Sequence, residues 1–524
     1  MDYEESPQQK INSIIELFSS GQIQEALNDV ETLINEYPND PVPYNISGAC
    51  YAGLGQFDSA VKYYEKAIAI NPNYSEAHYN LAGTLQELGQ LDGAVESYEK
   101  SLVIKPDYAE AHNNLGNALR ELNQLDSAIT SYQKAIAIKP DYVEAHYSLG
   151  TTFEELGKLD DAVKSYKDVV NIEPDFVEMH NNLGVILNEL NQNDDAVKSL
   201  ERAVTIKPDF AEAHNNLGNV LNKLDQHDAA LKSYEKAITI KPDYAEAHFN
   251  LGNVLNKLDQ HDAALKSYEK AITIKPNYYE AHFNLGDTLR ELGQLDEAVK
   301  CYEKAISIKV DFADAHNNLG VTLKKLGQLN EAVKCYEKAI SIEVNFAEAH
   351  NNLAATLQKL GQHDKAIKFY IKAIAIKADY YEALNNLGLA YQQLGEINDS
   401  INQYEKALSI NPDFSDAYYN LSYVKKYTAN DPQITKMKTL LSDSKLSRSD
   451  RINLCFALAK VNENLDNQDE LFKYLHEANH LRKLELNYSF DRSKTLFKTV
   501  KEIFGSSYSD IEKSLSSEPS TFKP

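Results

Sequence analysis

The sequence matches itself at a shift of 34 residues, and the match persists through twelve copies from Pro7 to Pro412. A unit this short cannot bury its own apolar face, so it must stack on its neighbours, and this rules out a set of independent globules. In a frame of 7–40, 41–74 and so on to 381–414, followed by a thirteenth first helix at 415–427, the array takes up most of the 524 residues.

From the third copy on, positions 3, 7, 11 and 14 are apolar, as in Ala111, Leu115, Leu119 and Leu122, which is the spacing of one helix face. This first helix, helix A, is expected to stop at position 15. There every copy carries Gly, Asn or Asp, the residues that tolerate a left-handed backbone (Gly89, Asn123, Gly157, Asp225). Asp92, Asp126, Asp160 and Asp194 then place a carboxylate at the positive start of a second helix, helix B. Ala stands at position 20 in eleven of twelve copies, with Ser400 the exception, and Tyr stands at position 24 in ten of twelve. Small against large at these positions lets two helices approach and fills the groove between them. Pro ends helix B in nine of twelve copies, since the residue before it is driven out of the α region. The predicted unit is a helical hairpin.

This pattern resembles the tetratricopeptide repeat, with Leu-Gly at positions 7 and 8, a small residue at 20, an aromatic at 24 and Pro near 32. The resemblance implies an all-α, right-handed superhelical solenoid of about twelve hairpins whose helices A line a concave groove. The sequence departs from the family at position 4, where nine copies carry His (His78, His112, His146, His180, His214, His248, His282, His316, His350). These imidazoles are read as packing at the hairpin interface, because successive helices are about 10 Å apart and cannot converge on one ion. Residues 216–242 recur without change at 250–276, as expected of recent duplication.

Positions 2, 6, 9 and 13 share one side of helix A. Position 6 holds Asn80, Asn114, Asn182, Asn216, Asn250, Asn284, Asn318, Asn352 and Asn386, and position 9 adds Asn117, Asn219 and Asn253. An amide has a donor and an acceptor, so such a ladder can pair with the backbone of an extended peptide without reading its side chains. The superhelix of O-GlcNAc transferase is similar in carrying asparagines at this position. The alternative is that the amides bridge adjacent copies. Position 2 is acidic in every copy from Glu76 to Asp416, including Glu110, Glu212 and Glu246. These residues read either as capping-box partners, as in Asp107-Tyr108-Ala109-Glu110, or as a bias toward neutral or basic peptides.

Function classes fall away on charge and motif. A net charge of -25 opposes nucleic acid, whose phosphates must be neutralised by Lys and Arg. No phosphate-binding loop, nucleophile elbow or paired-His metal motif occurs, so neither catalysis nor a cofactor is expected. Four cysteines, an acidic N-terminus and the lack of an apolar run of about 18 residues suggest a reduced, cytoplasmic protein without membrane segments.

Beyond Asp431-Pro432 the 34-residue register dissolves. Residues 415–504 are expected to form a partial repeat and a helical cap. Within it, amphipathic helices at 450–464 and 468–483 should set Leu454 and Leu458 against Leu471 and Leu475, with a further helix at 491–504. Residues 1–6 are read as a tail and 505–524 as a Ser-rich linker or disordered end. Leu454-Cys455-Phe456-Ala457-Leu458-Ala459-Lys460 with Asn479-His480-Leu481-Arg482-Lys483 resembles the segment between the repeats and the catalytic domain of bacterial tetratricopeptide-repeat sulfotransferases, but none of that family's catalytic residues is present. Two functions follow as expectations: a scaffold holding an extended peptide or protein segment, or the substrate-recruiting part of such a transferase.

Overall fold

The computed structural model describes residues 6–486 together with Lys494; the helix expected at 491–504, the Ser-rich stretch and most of the N-terminal tail lie outside the described residues. Among the described residues there are 28 helices and no strand. Helix A starts at the first position of the frame in every copy, from Pro7–Ser19 and Pro41–Gly53 to Tyr381–Leu394, and helix B runs from Ile23–Glu36 to Ile397–Ile410. The chain falls into two compact units, Met1–Lys275 with eight hairpins and Pro276–Pro524 with four hairpins and the cap.

The turn between the helices is set by position 15. All twelve residues there have positive φ, from 57° at Asp225 and Asp259 to 82° at Gly21. That left-handed residue folds the chain back, so the position-16 amide reaches the position-11 carbonyl, as Gln124 N–H does to Leu119 at 2.8 Å. Helix B then opens with an acid in its first turn, such as Asp92 or Asp126, without side-chain capping.

The hairpin closes on a small-to-large contact. Every position-20 Ala is fully buried, and the position-24 rings, Tyr98 to Tyr404, expose at most 2% of their surface. Each ring lies against position 8 of helix A, where a β-carbon on Gly218 or Gly252 would stand 2.6 Å from the Tyr234 or Tyr268 ring. Glycine gives the ring the most room there, although Ala82 and Ala354 hold the same position against Tyr98 and Tyr370. Within each unit neighbouring helices A touch, as Pro41–Gly53 touches Ser75–Glu87 and Ala313–Lys325 touches Ala347–Lys359. Neighbouring helices B make no comparable contact among the described residues, so the A layer is the inner side of each unit's curvature.

Four expectations are corrected. From the third copy on, helix A has no capping box: its N-cap is the position-34 aromatic, such as Tyr108, which accepts no side-chain capping bond, and Glu110 does not reach back, whereas Pro7–Ser19 carries a box between Ser6 and Gln9. The thirteenth helix A is only Ser415–Ser422. The cap contains an extra helix, Pro432–Leu441, which starts where Asp431 accepts the Gln433 amide at 3.0 Å. Helices Arg448–Asn464 and Gln468–Glu485 form the expected pair, and Leu471 and Leu475 pack on the cluster holding Leu454 and Leu458. The first of the pair is not amphipathic: Ile452, Leu454, Ala457, Leu458 and Val461 are all fully buried, because Ser415–Ser422, Pro432–Leu441 and Gln468–Glu485 all pack on it.

Candidate functional site

The position-4 histidines sit where one copy meets the next. Nε2 of each lies 2.9–3.4 Å from the carbonyl of residue i−6, from His78 on Pro72 to His350 on Val344, so the ring donates Nε2–H to the turn that ends the preceding helix B. Tyr44 and Tyr418 make the same bond with a hydroxyl. These side chains satisfy an orphan carbonyl at a helix end. Among the described residues no three His, Cys, Asp or Glu side chains are placed to share an ion.

Burial, and then the nearby position-26 Lys, hold the imidazoles of His112, His214, His248, His282, His316 and His350 below their ordinary value of 6.5. In the unfolded chain these rings take up protons near 6.5, but in the fold they do so only at lower pH. Stability is therefore level above neutrality and falls as pH drops through and below 6.5, where the unfolded state binds more protons. Thermal unfolding at stepped pH should show this loss before the carboxylate range is reached. A melting temperature that is flat through that window would contradict it.

The position-6 amides lie between helices A and are partly buried. Their NH2 groups donate backward to the preceding copy: Asn80 to Asn45 at 3.1 Å, Asn114 to the Tyr79 hydroxyl at 2.9 Å, Asn216 to Asn181 at 3.0 Å and Asn250 to both Asn215 and Asn219. In the second unit Asn318 donates to Asp287, Asn352 to Asn317 and Asn386 to Asn351. The bridge between copies is therefore present, and it engages the donors. The acceptors divide: Oδ1 of Asn114, Asn182 and Asn318 receives the adjacent Asn113, Asn181 or Asn317 amide, whereas no donor among the described residues reaches Oδ1 of Asn216, Asn250, Asn352 or Asn386. Asn284 holds the same position on Tyr279–Glu291.

Position 9 belongs to the hairpin core. Asn117, Asn219 and Asn253 accept the buried Tyr132, Tyr234 and Tyr268 hydroxyls at 2.8–2.9 Å. In other copies position-9 Asp287 accepts the Tyr302 hydroxyl, or position 12 takes over, as Gln358 and Gln392 do for Tyr370 and Tyr404. At position 2, Glu212 and Glu246 pair with Lys241 and Lys275 at 3.2 and 3.4 Å, while Glu110 stays exposed in its first turn. Lys241 also lies 4.8 Å from the centre of the Tyr244 ring. The basic preference expected of this face is thus partly cancelled from within.

Sequence reasoning missed a second row. The side chain at position 12 meets the one at position 13 of the next copy: Gln86 with Glu121 at 2.6 Å, Asn188 Oδ1 with Lys223 at 3.3 Å, Asn222 with Lys257 at 3.2 Å and Gln358 with Gln393 at 2.8 Å. The signal was a constant offset of 35 residues, one more than the repeat. The thiols of Cys50 and Cys335 are pushed up to about 11, and that of Cys455 to about 12, first by burial, so none is a thiolate at neutral pH. No described helix is long and apolar enough to cross a membrane.

A family model described as TPR repeat matches residues 84–122, 116–157, 152–189, 186–225, 218–259, 286–327 and 322–361. Models described as tetratricopeptide repeat match 345–413, 43–74 with 245–278, and 63–96 with 267–300. Every matching family model is thus a repeat model, so the transferase resemblances rest on the quoted residues alone. No curated protein matches. Similar solved structures include the APC/C hetero-tetramer Cut9-Hcn1, 15% identical over 80% of this chain and 96% of that one, with a TM-score of 0.40. MamA is 33% identical over 31% of this chain and 94% of its own, with a TM-score of 0.30. YrrB, described as a TPR protein with an unusual peptide-binding site, is 24% identical over 36% and 97%, with a TM-score of 0.33.

Proposed function

The chain belongs to the tetratricopeptide-repeat family, whose models together match it from residue 43 to 413, and from that premise we propose that it is a non-catalytic scaffold that binds an extended protein segment along its helices A. The observation that carries this reading is the set of unengaged Oδ1 atoms on Asn216, Asn250, Asn352 and Asn386. Carbonyl oxygens at a fixed spacing accept backbone N–H groups, which every peptide has. Packed helices lie about 10 Å apart and an extended chain rises about 3.3 Å per residue, so one asparagine meets about every third residue. The unreactive thiols and the partnered tyrosine hydroxyls fit binding better than chemistry, and a reducing, intracellular setting is part of the same proposal.

The test uses peptides selected from a random dodecapeptide library on the full chain, followed by N-methylation of each backbone amide in turn. Methylation removes the N–H and leaves the side chain in place. Affinity is expected to fall about tenfold or more at every third position, as loss of a bond worth about 1 kcal/mol plus the burial of an unpaired acceptor implies. Uniform or aperiodic losses would remove the asparagine ladder from the site.

A further inference from the structure

In copies 10 and 11 the position-12/position-13 row changes character. At the other junctions from Ala52 and Glu87 on, Gln, Asn or a carboxylate is one of the pair, but here the same offset of 35 residues sets Lys359 against Lys324, and Lys325 against Arg290. Arg290 is already held by Asp287 at 3.1 Å and by the Tyr302 hydroxyl at 3.1 Å. Among the described residues Lys324, Lys325 and Lys359 have neither an ion pair nor a hydrogen bond, and Lys324 is half-buried. The one other like-charged junction, Glu154 with Glu189, differs because Glu154 accepts the Tyr166 hydroxyl at 2.9 Å. Tyr336, the ring of copy 10, has no such acceptor and its hydroxyl is buried without a partner. Position 9 offers nothing in its place, since Val321 and Ala355 stand there.

Three ammoniums thus lie on the inner face of the second unit, in an array, residues 7–414, whose net charge is -24. Burial, and then the charge of Lys359, hold the Lys324 ammonium below its ordinary range, and no carboxylate offsets them. A half-buried cation without a partner costs stability, and that cost is recovered when an anion arrives.

We propose that the A face of copies 10 and 11 docks an acidic segment of a partner protein, with Lys324, Lys325 and Lys359 receiving its Asp and Glu carboxylates. This rests on the reading that an extended segment runs along helices A, and it names the chemistry of that segment at one place. Charge complementarity selects the occupant. The position-2 acids repel a polyanion such as nucleic acid, which needs many cations in a row, whereas a peptide can set carboxylates on these three lysines alone.

The experiment measures binding of the full chain to an alternating Glu-Ser peptide of about 12 residues, which at about 3.3 Å per residue spans about four copies, with a Gln-Ser peptide of equal length as comparison. The Glu-Ser peptide is expected to bind at least about tenfold tighter than Gln-Ser, to weaken between about 50 and 500 mM NaCl, and to lose that advantage in K324Q/K325Q/K359Q. In the unliganded protein K324M is expected to raise the melting temperature by a few degrees, and a fall would mean that Lys324 is paired inside the fold and would overturn the site. Equal binding of the two peptides would sink the acidic subsite and leave the extended-peptide reading standing, whereas binding of neither would count against both. Tighter competition by an oligo-dT of similar length would replace the partner with a phosphate polymer. A dimer that dissociates in the triple variant would replace it with a second copy of this chain.

Discussion

Tyr234→Ala is expected to destabilise the first unit by about 3–5 kcal/mol, the cost of removing a large aromatic from a core that cannot close around the gap. The ring is 1% exposed, lies on Gly218 and donates its hydroxyl to Asn219 at 2.8 Å, so both neighbours lose their partner together. Tyr234→Phe keeps the ring and removes only the hydrogen bond, for a loss of about 0.5–1.5 kcal/mol. Gly218→Ala separates space from backbone. Its β-carbon would meet the ring at 2.6 Å, yet alanine in a helix interior recovers about 1 kcal/mol over glycine. The chain already pairs Ala82 with Tyr98 and Ala354 with Tyr370, where the hydroxyl turns to Gln86 or Gln358 at position 12. A small net change is therefore expected for Gly218→Ala, far below that of Tyr234→Ala. Chemical denaturation of the three variants checks the order, and a Tyr234→Ala loss no greater than that of Tyr234→Phe would show that the ring does not hold the hairpin.

The asparagine ladder is expected to carry stability as well as binding. Asn216→Ala with Asn250→Ala removes three bonds between copies, to Asn181, Asn215 and Asn219, for about 1.5–4.5 kcal/mol if about 0.5–1.5 each adds. A ladder that served only a ligand would leave unfolding unchanged, since its donors would then face solvent. Denaturant unfolding of the double variant decides this, and binding of the library-selected peptides to the still-folded protein measures the remaining role of Oδ1. A stability change within about 0.5 kcal/mol, the ordinary range for surface substitutions, would mean that the bridges contribute nothing measurable.

Much of this was legible along the chain because it depends on neighbours in sequence. The left-handed residue at position 15, the Ala and Tyr of helix B and the closing Pro each act within one hairpin, so a 34-residue period was enough to place every helix A start. The cap was harder to read. Arg448–Asn464 lacks a polar face because three helices cover it, and no periodicity in its own residues announces that.

The side-chain partners were decided by tertiary structure. Position 6 on the inner face of helix A was readable, but whether its amide faces solvent or the neighbouring copy depends on how closely two helices 34 residues apart approach. The helices A touch, and the amide donors are consumed. Glu110 fits a capping box by spacing, yet the N-cap is an aromatic held beside Lys105, which lies 4.3 Å from the Tyr108 ring centre, and the carboxylate has no cap to complete. The Lys324–Lys359 junction was invisible for the same reason. Two lysines 35 residues apart are only neighbours in a charge count until stacking sets them face to face, where burial and like charge leave an ammonium that the chain itself does not neutralise.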